Sequence, residues 1–427
     1  MRTVPLFALL VAACGCEVTS EQIAAWRDTQ KGPGKLREAL RDPGLKPELR
    51  GHALAVLAEL GMLSEIDADL APQSPGDRAA VALQAAPRLI QLAGKSEGAS
   101  LSKVEKSAKD ALFQIRDLVP AAERGPVDDA LIAWTTVDLA GRMTAGGQSS
   151  EKILSAIGAK AGPRLAAVLV DGASSEASRL TAAQLCNRVC DREARAQAGA
   201  KLVERAKRER VIQEATLQQL GLVGGDHAVA YLTQLGGDVR QTAQLRQKAL
   251  FALAQSPDPA ALAPVIALAR DAKVPGEVRD AAFEVAEKIG APAVPELIKL
   301  FPDKDEKVRW RAVEAALGAG KERAVVAVLE TLPDGFAYPK EDLTSFVVHD
   351  LRLIGPPALP PLRQALASKR PLARLVAVLA LGEIGKAGEA AAVEALAGDG
   401  AKIKGWPAGA TVGSEAKSVA ARLVGKP

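Results

Sequence analysis

Four arginines open the same pattern of apolar and polar positions. After Arg50, Arg279, Arg309 and Arg374, alanine stands at plus three (Ala53, Ala282, Ala312, Ala377). Apolar residues follow at plus four (Leu54, Phe283, Val313, Val378) and plus seven (Leu57, Ala286, Ala316, Leu381). Steps of three, four and seven trace one face of an α-helix. Eleven places after each arginine comes glycine (Gly61, Gly290, Gly320, Gly385), where the helix is expected to end in a conformation costly for other residues. Prolines at 47, 275 and 371 lie three or four places before an arginine, where a first helical turn tolerates them.

Weaker copies start at Arg179, Gln213, Arg246 and Thr344, so the slots run 179, 213, 246, 279, 309, 344, 374 at intervals of 30 to 35. Between 50 and 179 the register blurs, and helical periodicity at 77–93, 103–119, 126–143 and 151–170 fills the space. A second helix recurs in each unit: "APAVPELIKLF" (291–301), "PPALPPLRQAL" (356–366), "AKAGPRLAAVL" (159–169) and "KAGEAAAVEAL" (386–396). Such a pair cannot bury its apolar stripes alone and must lean on its neighbours. The period therefore predicts an all-α, right-handed α-solenoid of roughly 10–12 helix pairs over 35–427, closed by a C-terminal cap. Composition agrees: apolar residues are 48 % but aromatics only 3 %, and alanine and leucine, the best helix formers, supply most of the rest.

The words "ARLVAVLALGEIG" (373–385) and "VRDAAFEVAEKIG" (278–290) resemble HEAT-like repeats, including the short-repeat branch named after phycobilisome bilin lyases. The resemblance covers about 35–396 and is strongest from 246. It implies a HEAT/armadillo-like superhelix that binds other proteins, with chemistry only occasional among its relatives. An enzyme or maturation factor of the bilin-lyase-like type is the alternative it leaves open.

The first residues, "MRTVPLFALLVAAC", carry one basic residue, Arg2, and an apolar run too short to span a bilayer but of secretory-signal length. Val11-Ala12-Ala13-Cys14 resembles the lipobox of bacterial lipoproteins. That resemblance implies cleavage after residue 13 and lipidation of Cys14, whose thiolate takes the diacylglyceryl group. Cys16 is the rival position. Several acyl chains give stable anchoring, so a periplasm-facing, lipid-anchored protein of the bacterial envelope is expected. Gly15 after the cysteine leans towards the outer membrane. Residues 14–34 read as a short tether, with capping-box spacing of Thr19 and Gln22 for a small helix through Trp26.

Net charge is +4, from 55 basic and 51 acidic residues, a balance that argues neither for nor against a polyanionic partner; no nucleic acid is expected. The basic run "KLVERAKRERV" (Lys201–Val211) reads as a solvated helix face, with a binding patch as the lesser alternative. His52, His227 and His349 fall at plus two, plus fourteen and plus five of distant units, so no metal site, cofactor site or catalytic residue is assigned. "GLVGGD" (221–226) lacks the strand and Lys-Ser/Thr pair of a phosphate loop and reads as an inter-helix turn.

Two cysteines stand out. Cys186 and Cys190 lie one helical turn apart, with Cys190 in the glycine slot. In an oxidising compartment they can form a disulfide, and two reduced thiols or metal or haem ligation stay open. Two departures from the repeat carry aromatics: "LPDGFAYPKEDL" (332–343) holds Phe336 and Tyr338, and "GDGAKIKGWPAGATVGS" (398–414) holds Trp406. These three are candidate anchors for an unknown protein partner, or lids over exposed core. The sequence thus points to a membrane-anchored, non-catalytic scaffold or adaptor, with an envelope spacer as a further alternative.

Overall fold

In the computed structural model, the residues described are 18–94, 101–333, 346–404, 406 and 409–425. Among them the regular elements are α-helices and 3-10 turns, with no strand, and the architecture is an all-α solenoid of helix pairs. The chain divides into two compact units, Met1–Asp191 and Arg192–Pro427.

The first unit comprises Ser20–Trp26 (α1), Gly32–Arg41 (α2), Pro47–Glu59 (α3), Leu63–Leu70 (α4), Pro75–Ala93 (α5), Lys103–Ile115 (α6), Gly125–Thr136 (α7), Ser150–Ile157 (α8), Gly162–Val170 (α9) and Glu176–Val189 (α10). A continuous core runs from Ile23 through Leu54, Leu89 and Leu131 to Ile153. Ile23 is fully buried, and Val18 packs against the same core, so packed structure extends into the segment read as tether rather than starting at residue 35. The expected capping box is present: the Thr19 hydroxyl accepts from Gln22 N, and the Gln22 side chain accepts from Thr19 N.

The second unit comprises Arg192–Arg208 (α11), Glu214–Val223 (α12), Gly225–Gly237 (α13), Ala243–Leu253 (α14), Leu262–Arg270 (α15), Gly276–Ile289 (α16), Val294–Ile298 (α17), Glu306–Gly320 (α18), Val325–Thr331 (α19), Val347–Ile354 (α20), Leu359–Ala365 (α21), Pro371–Ile384 (α22), Ala390–Glu394 (α23) and Val412–Val424 (α24). First helices stack in the order α12, α14, α16, α18, α20, α22, α24, each against the next. Their alanines permit close approach. At Gly221 even a methyl is too much, since a Cβ there would lie 2.2 Å from the Ala252 carbonyl oxygen. Several second helices are shorter than their apolar words suggest, because a 3-10 turn takes the first residues, proline-bearing at Ala291–Ala293 before α17 and Pro356–Ala358 before α21.

Two expectations need correction. The stretch 151–170 is two helices, not one, broken where Gly158 turns to φ 73° and ψ −146°. The stretch 126–143 stops helical hydrogen bonding at Thr136, where Thr135 and Thr136 hydroxyls donate back to carbonyls of the preceding turn. The glycine ruler is also only partly right. Gly290 takes φ 83° and ψ −146°, and Gly158, Gly224 and Gly355 repeat that geometry within about 20° in φ. Gly320, however, remains helical at φ −99°, and Gly385 is extended. The helix therefore runs one residue further than the ruler predicts, through Gly320, and Lys321 takes the turn at φ 49° and ψ −134°.

Candidate functional site

The recurrent arginine stitches one repeat to its neighbours. Arg50 is buried, and its Nε donates to the Leu40 carbonyl (3.3 Å) at the end of α2 while Nη2 donates to Gln73 Oε1 (2.6 Å). Arg246 Nε donates to the Gly236 carbonyl of α13 (2.9 Å). Arg309 and Arg374 donate to the Asp303 and Ser368 carbonyls (2.9 and 2.8 Å), in the turns after α17 and α21. Each satisfies acceptors left over where the preceding second helix ends, where a cation is also favoured by the helix dipole. The same side chains reach forward. Arg279 pairs with Asp305, the N-cap of α18 (2.7 Å), and Arg374 with Asp399 (2.7 Å). Hydrogen bonds from these arginines are the main cause holding the Asp305 and Asp399 carboxyls below the ordinary range. The slot residue is structural.

Cys14, Phe336 and Tyr338 lie outside the described residues. Trp406 is half-buried, and its Nε1 donates to Glu415 Oε1 of α24 (3.2 Å), so it folds onto the last helix. Cys186 and Cys190 are joined by a disulfide across 4.6 Å of Cα separation. Both are buried, and Cys190 N donates to the Cys186 carbonyl, ending α10 without a glycine. The histidines stay apart. His52 Nδ1 lies 2.8 Å from Ser20 Oγ, and burial lowers its pKa. His349 Nδ1 lies 3.2 Å from an Arg352 nitrogen on its own helix. Among the described residues no group of three His, Cys, Asp or Glu side chains is placed to hold a metal ion. "GLVGGD" spans the junction of α12 and α13, with Gly224 alone between the helices and Gly224 and Gly225 at positive φ.

Two clefts on the second unit bring polar groups together. The first is a groove of about 650 Å³ between the α11–α12 and α13–α14 connections. Ala206, Leu217 and Leu235 form its buried floor, and Tyr231 lines it, with its phenol pKa raised by burial and then by Glu209. At its edge stand Lys207, Arg210 and Val211, the last 70 % exposed. The acids here are engaged. Glu209 accepts from Gln213 N and the Thr216 hydroxyl (2.8 and 2.7 Å) and pairs with Arg205 (3.3 Å). Glu214 pairs with Lys248, and Asp238 with Arg240 (2.9 Å), whose hydrogen bonds hold the Asp238 carboxyl far below the ordinary range.

The second cleft, also about 650 Å³, is lined by carboxylates from three successive first helices: Glu287 of α16, Glu314 of α18 and Asp350 of α20. Lys321 and Glu322 complete its polar wall. Burial, followed by repulsion from Glu314 and Glu287, pushes the Asp350 carboxyl up to about 7, against a smaller opposing pull from Arg311. Burial likewise raises Glu287, whose carboxyl group packs on Gly318, where a Cβ would meet its Cδ at 2.6 Å. Asp350 stands six places after the Thr344 slot. Alanine or valine fills that place in the neighbouring units (Ala252, Val285, Ala315, Ala380), all buried. The departure was visible in the sequence once the register was known, but it was overlooked because the ruler followed only plus three, four, seven and eleven.

The fold and its clefts can now be set beside known proteins. A family model described as HEAT repeats matches residues 240–318. No curated protein matches the sequence. Among solved structures, human deoxyhypusine hydroxylase in complex with glycerol is similar at 20 % identity and a TM-score of 0.24, over 63 % of this chain and 98 % of that one. The karyopherin Kap121p bound to the SUMO protease Ulp1p is similar at 14 % identity and a TM-score of 0.38, over 96 % of this chain and 46 % of that one. Importin beta is similar at 12 % identity and a TM-score of 0.32, over 95 % of this chain and 56 % of that one. The chain thus spans about half the length of these last two chains.

Proposed function

We propose that this chain is a helical-repeat scaffold that binds protein partners, held to a bacterial envelope membrane by lipid on Cys14 and facing the periplasm, without catalysis of its own. The observation that carries the reading is how the repeat uses its charges. Slot arginines and their carboxylates are spent on joining neighbouring helix pairs, while open, mixed-character clefts are left along the second unit. Extended surfaces of this kind suit recognition of other chains. Anchoring rests on the Val11-Ala12-Ala13-Cys14 pattern. Packed structure is present by Val18 and α1, a few residues after Cys14, so an anchored protein would work close to the bilayer.

The test is cross-linking and pull-down of the full chain from its native membrane, beside a Cys14→Ser variant and labelling with an alkyne-bearing palmitate. A defined protein partner and label lost in the variant are the expected results. Peptidoglycan fragments in place of a protein would instead make the chain an envelope spacer. Label that persists without Cys14 would remove the anchor.

A further inference from the structure

We infer that the groove between the α11–α12 and α13–α14 connections is a docking site for a partner segment that pairs acidic side chains with apolar ones. The inference rests on the scaffold reading above and names the chemistry of what one of its surfaces takes. Three observations lead to it.

The first is charge. Glu209, Glu214 and Asp238 each have a basic partner, while Lys207 and Arg210 have no ion-pair partner among the described residues. The groove therefore presents two uncompensated cations in an otherwise neutralised rim, and an acidic segment is the complementary ligand. The second is the floor. Leu217 and Leu235 close it from below, and Tyr231 offers an aromatic face with a polar end, the kind of side chain that anchors protein contacts. Val211 stands out of the rim at 70 % exposure, an apolar group that a bound segment would cover. The third is size. At about 650 Å³ the groove falls within the roughly 300–1,000 Å³ of typical ligand pockets, enough for a few side chains but not for a folded domain.

The basic run Lys201–Val211 thereby takes on a direction. Arg205 turns to Glu209 and Arg208 to Glu204 on the helix, whereas Lys207 and Arg210 line the groove. Lys207 lies in the last turn of α11, and Arg210 and Val211 follow in the connection to α12. Exposed charges at such a rim steer encounter and select partners more than they hold them, so binding here should be salt-sensitive.

The test selects binders from a displayed random peptide library on the immobilised full chain, then measures fluorescein-labelled selected peptides by anisotropy. Expected peptides carry Asp or Glu beside Leu, Ile, Phe or Trp. Their affinity should fall at least about tenfold with Lys207→Glu/Arg210→Glu, and also in about 0.5 M salt. Lys207→Gln/Arg210→Gln should give an intermediate loss, and Glu314→Gln/Asp350→Asn in the other cleft should leave binding unchanged. Unaltered thermal melting of the charge-reversed chain confirms that it folds. Peptides that are basic, or that bind the charge-reversed groove equally well, overturn this inference and leave the scaffold reading standing. An absence of any selected peptide, together with an absence of any cross-linked protein partner, overturns both.

Discussion

Asp350→Asn should stabilise the protein, and only where the native carboxyl is ionised. The side chain sits in a cleft walled by Glu287 and Glu314, and its pKa is pushed from 3.8 to about 7, first by burial and then by those two neighbours. An acid with a raised folded pKa takes up a proton on folding between those two values. Its environment therefore costs nothing below pH 3.8, and stability falls as pH rises through the interval to about 7. Above that interval the full cost applies, about 4 kcal/mol at most for a displacement of this size. Asparagine keeps the shape without the charge. At pH 8 a gain of about 2–4 kcal/mol is expected, or a rise in melting temperature of roughly 4–16 °C for a unit the size of Arg192–Pro427. Scanning fluorimetry of both proteins from pH 4 to 8 measures it. The two curves should converge near pH 4 and part progressively above pH 5. An equal gain at both ends would mean that asparagine merely packs better, and a loss at pH 8 would mean that the carboxylate has a stabilising partner. Either result refutes the electrostatic account.

Other expectations follow from the same structure. Lys321→Gly should stabilise by about 1 kcal/mol in urea denaturation, relief of an unfavourable backbone region being partly offset by glycine's greater freedom when unfolded. Its converse is Gly158→Ala: the site has nothing within 4 Å of a new Cβ, so a loss of about 1–3 kcal/mol would report backbone conformation alone. Gly221→Ala should cost about 2 kcal/mol or more for a steric reason, because α12 and α14 must separate to relieve the clash with Ala252. Peptide mapping without reductant should recover residues 186 and 190 in one bridged fragment, and Cys186→Ser/Cys190→Ser should lower stability by about 2 kcal/mol, the loop-closure value for so short a ring. Free, alkylatable thiols on both residues would contradict the bridge.

Periodicity made the helix pairs legible because a stack buries the same face every thirty-odd residues, and Ala282 and Ala312 are buried where the ruler puts them. What periodicity could not carry was the reason for the arginine. Its partners are main-chain carbonyls such as that of Gly236, which have no identity in sequence, and aspartates about one repeat away. The glycine slot misled at residue 320 for a related reason. Helix length is decided by local packing, and α18 accommodates one residue more before Lys321 turns the chain. The clefts were least visible. Lys207 lies on an ordinary-looking polar face, and only its surroundings in three dimensions separate a satisfied charge from an uncompensated one. The basic run was read as a solvated surface, and Glu204 and Glu209 do neutralise part of it. The remainder lines the groove.

The nearest-neighbour stacking of α12 through α24 has a mechanical consequence. In the second unit each first helix rests on the next, and the arginine links reach only to adjoining pairs. Among the described residues no such arginine link clamps distant elements that would have to shear all at once under tension. Under load it should yield as a series of small, similar steps, one helix pair at a time, and shorten again as the pairs re-dock. Were the chain tethered and bound to a partner as proposed, that behaviour would be compliance. Slack would be taken up by the outermost pairs while the gripping pair stayed folded.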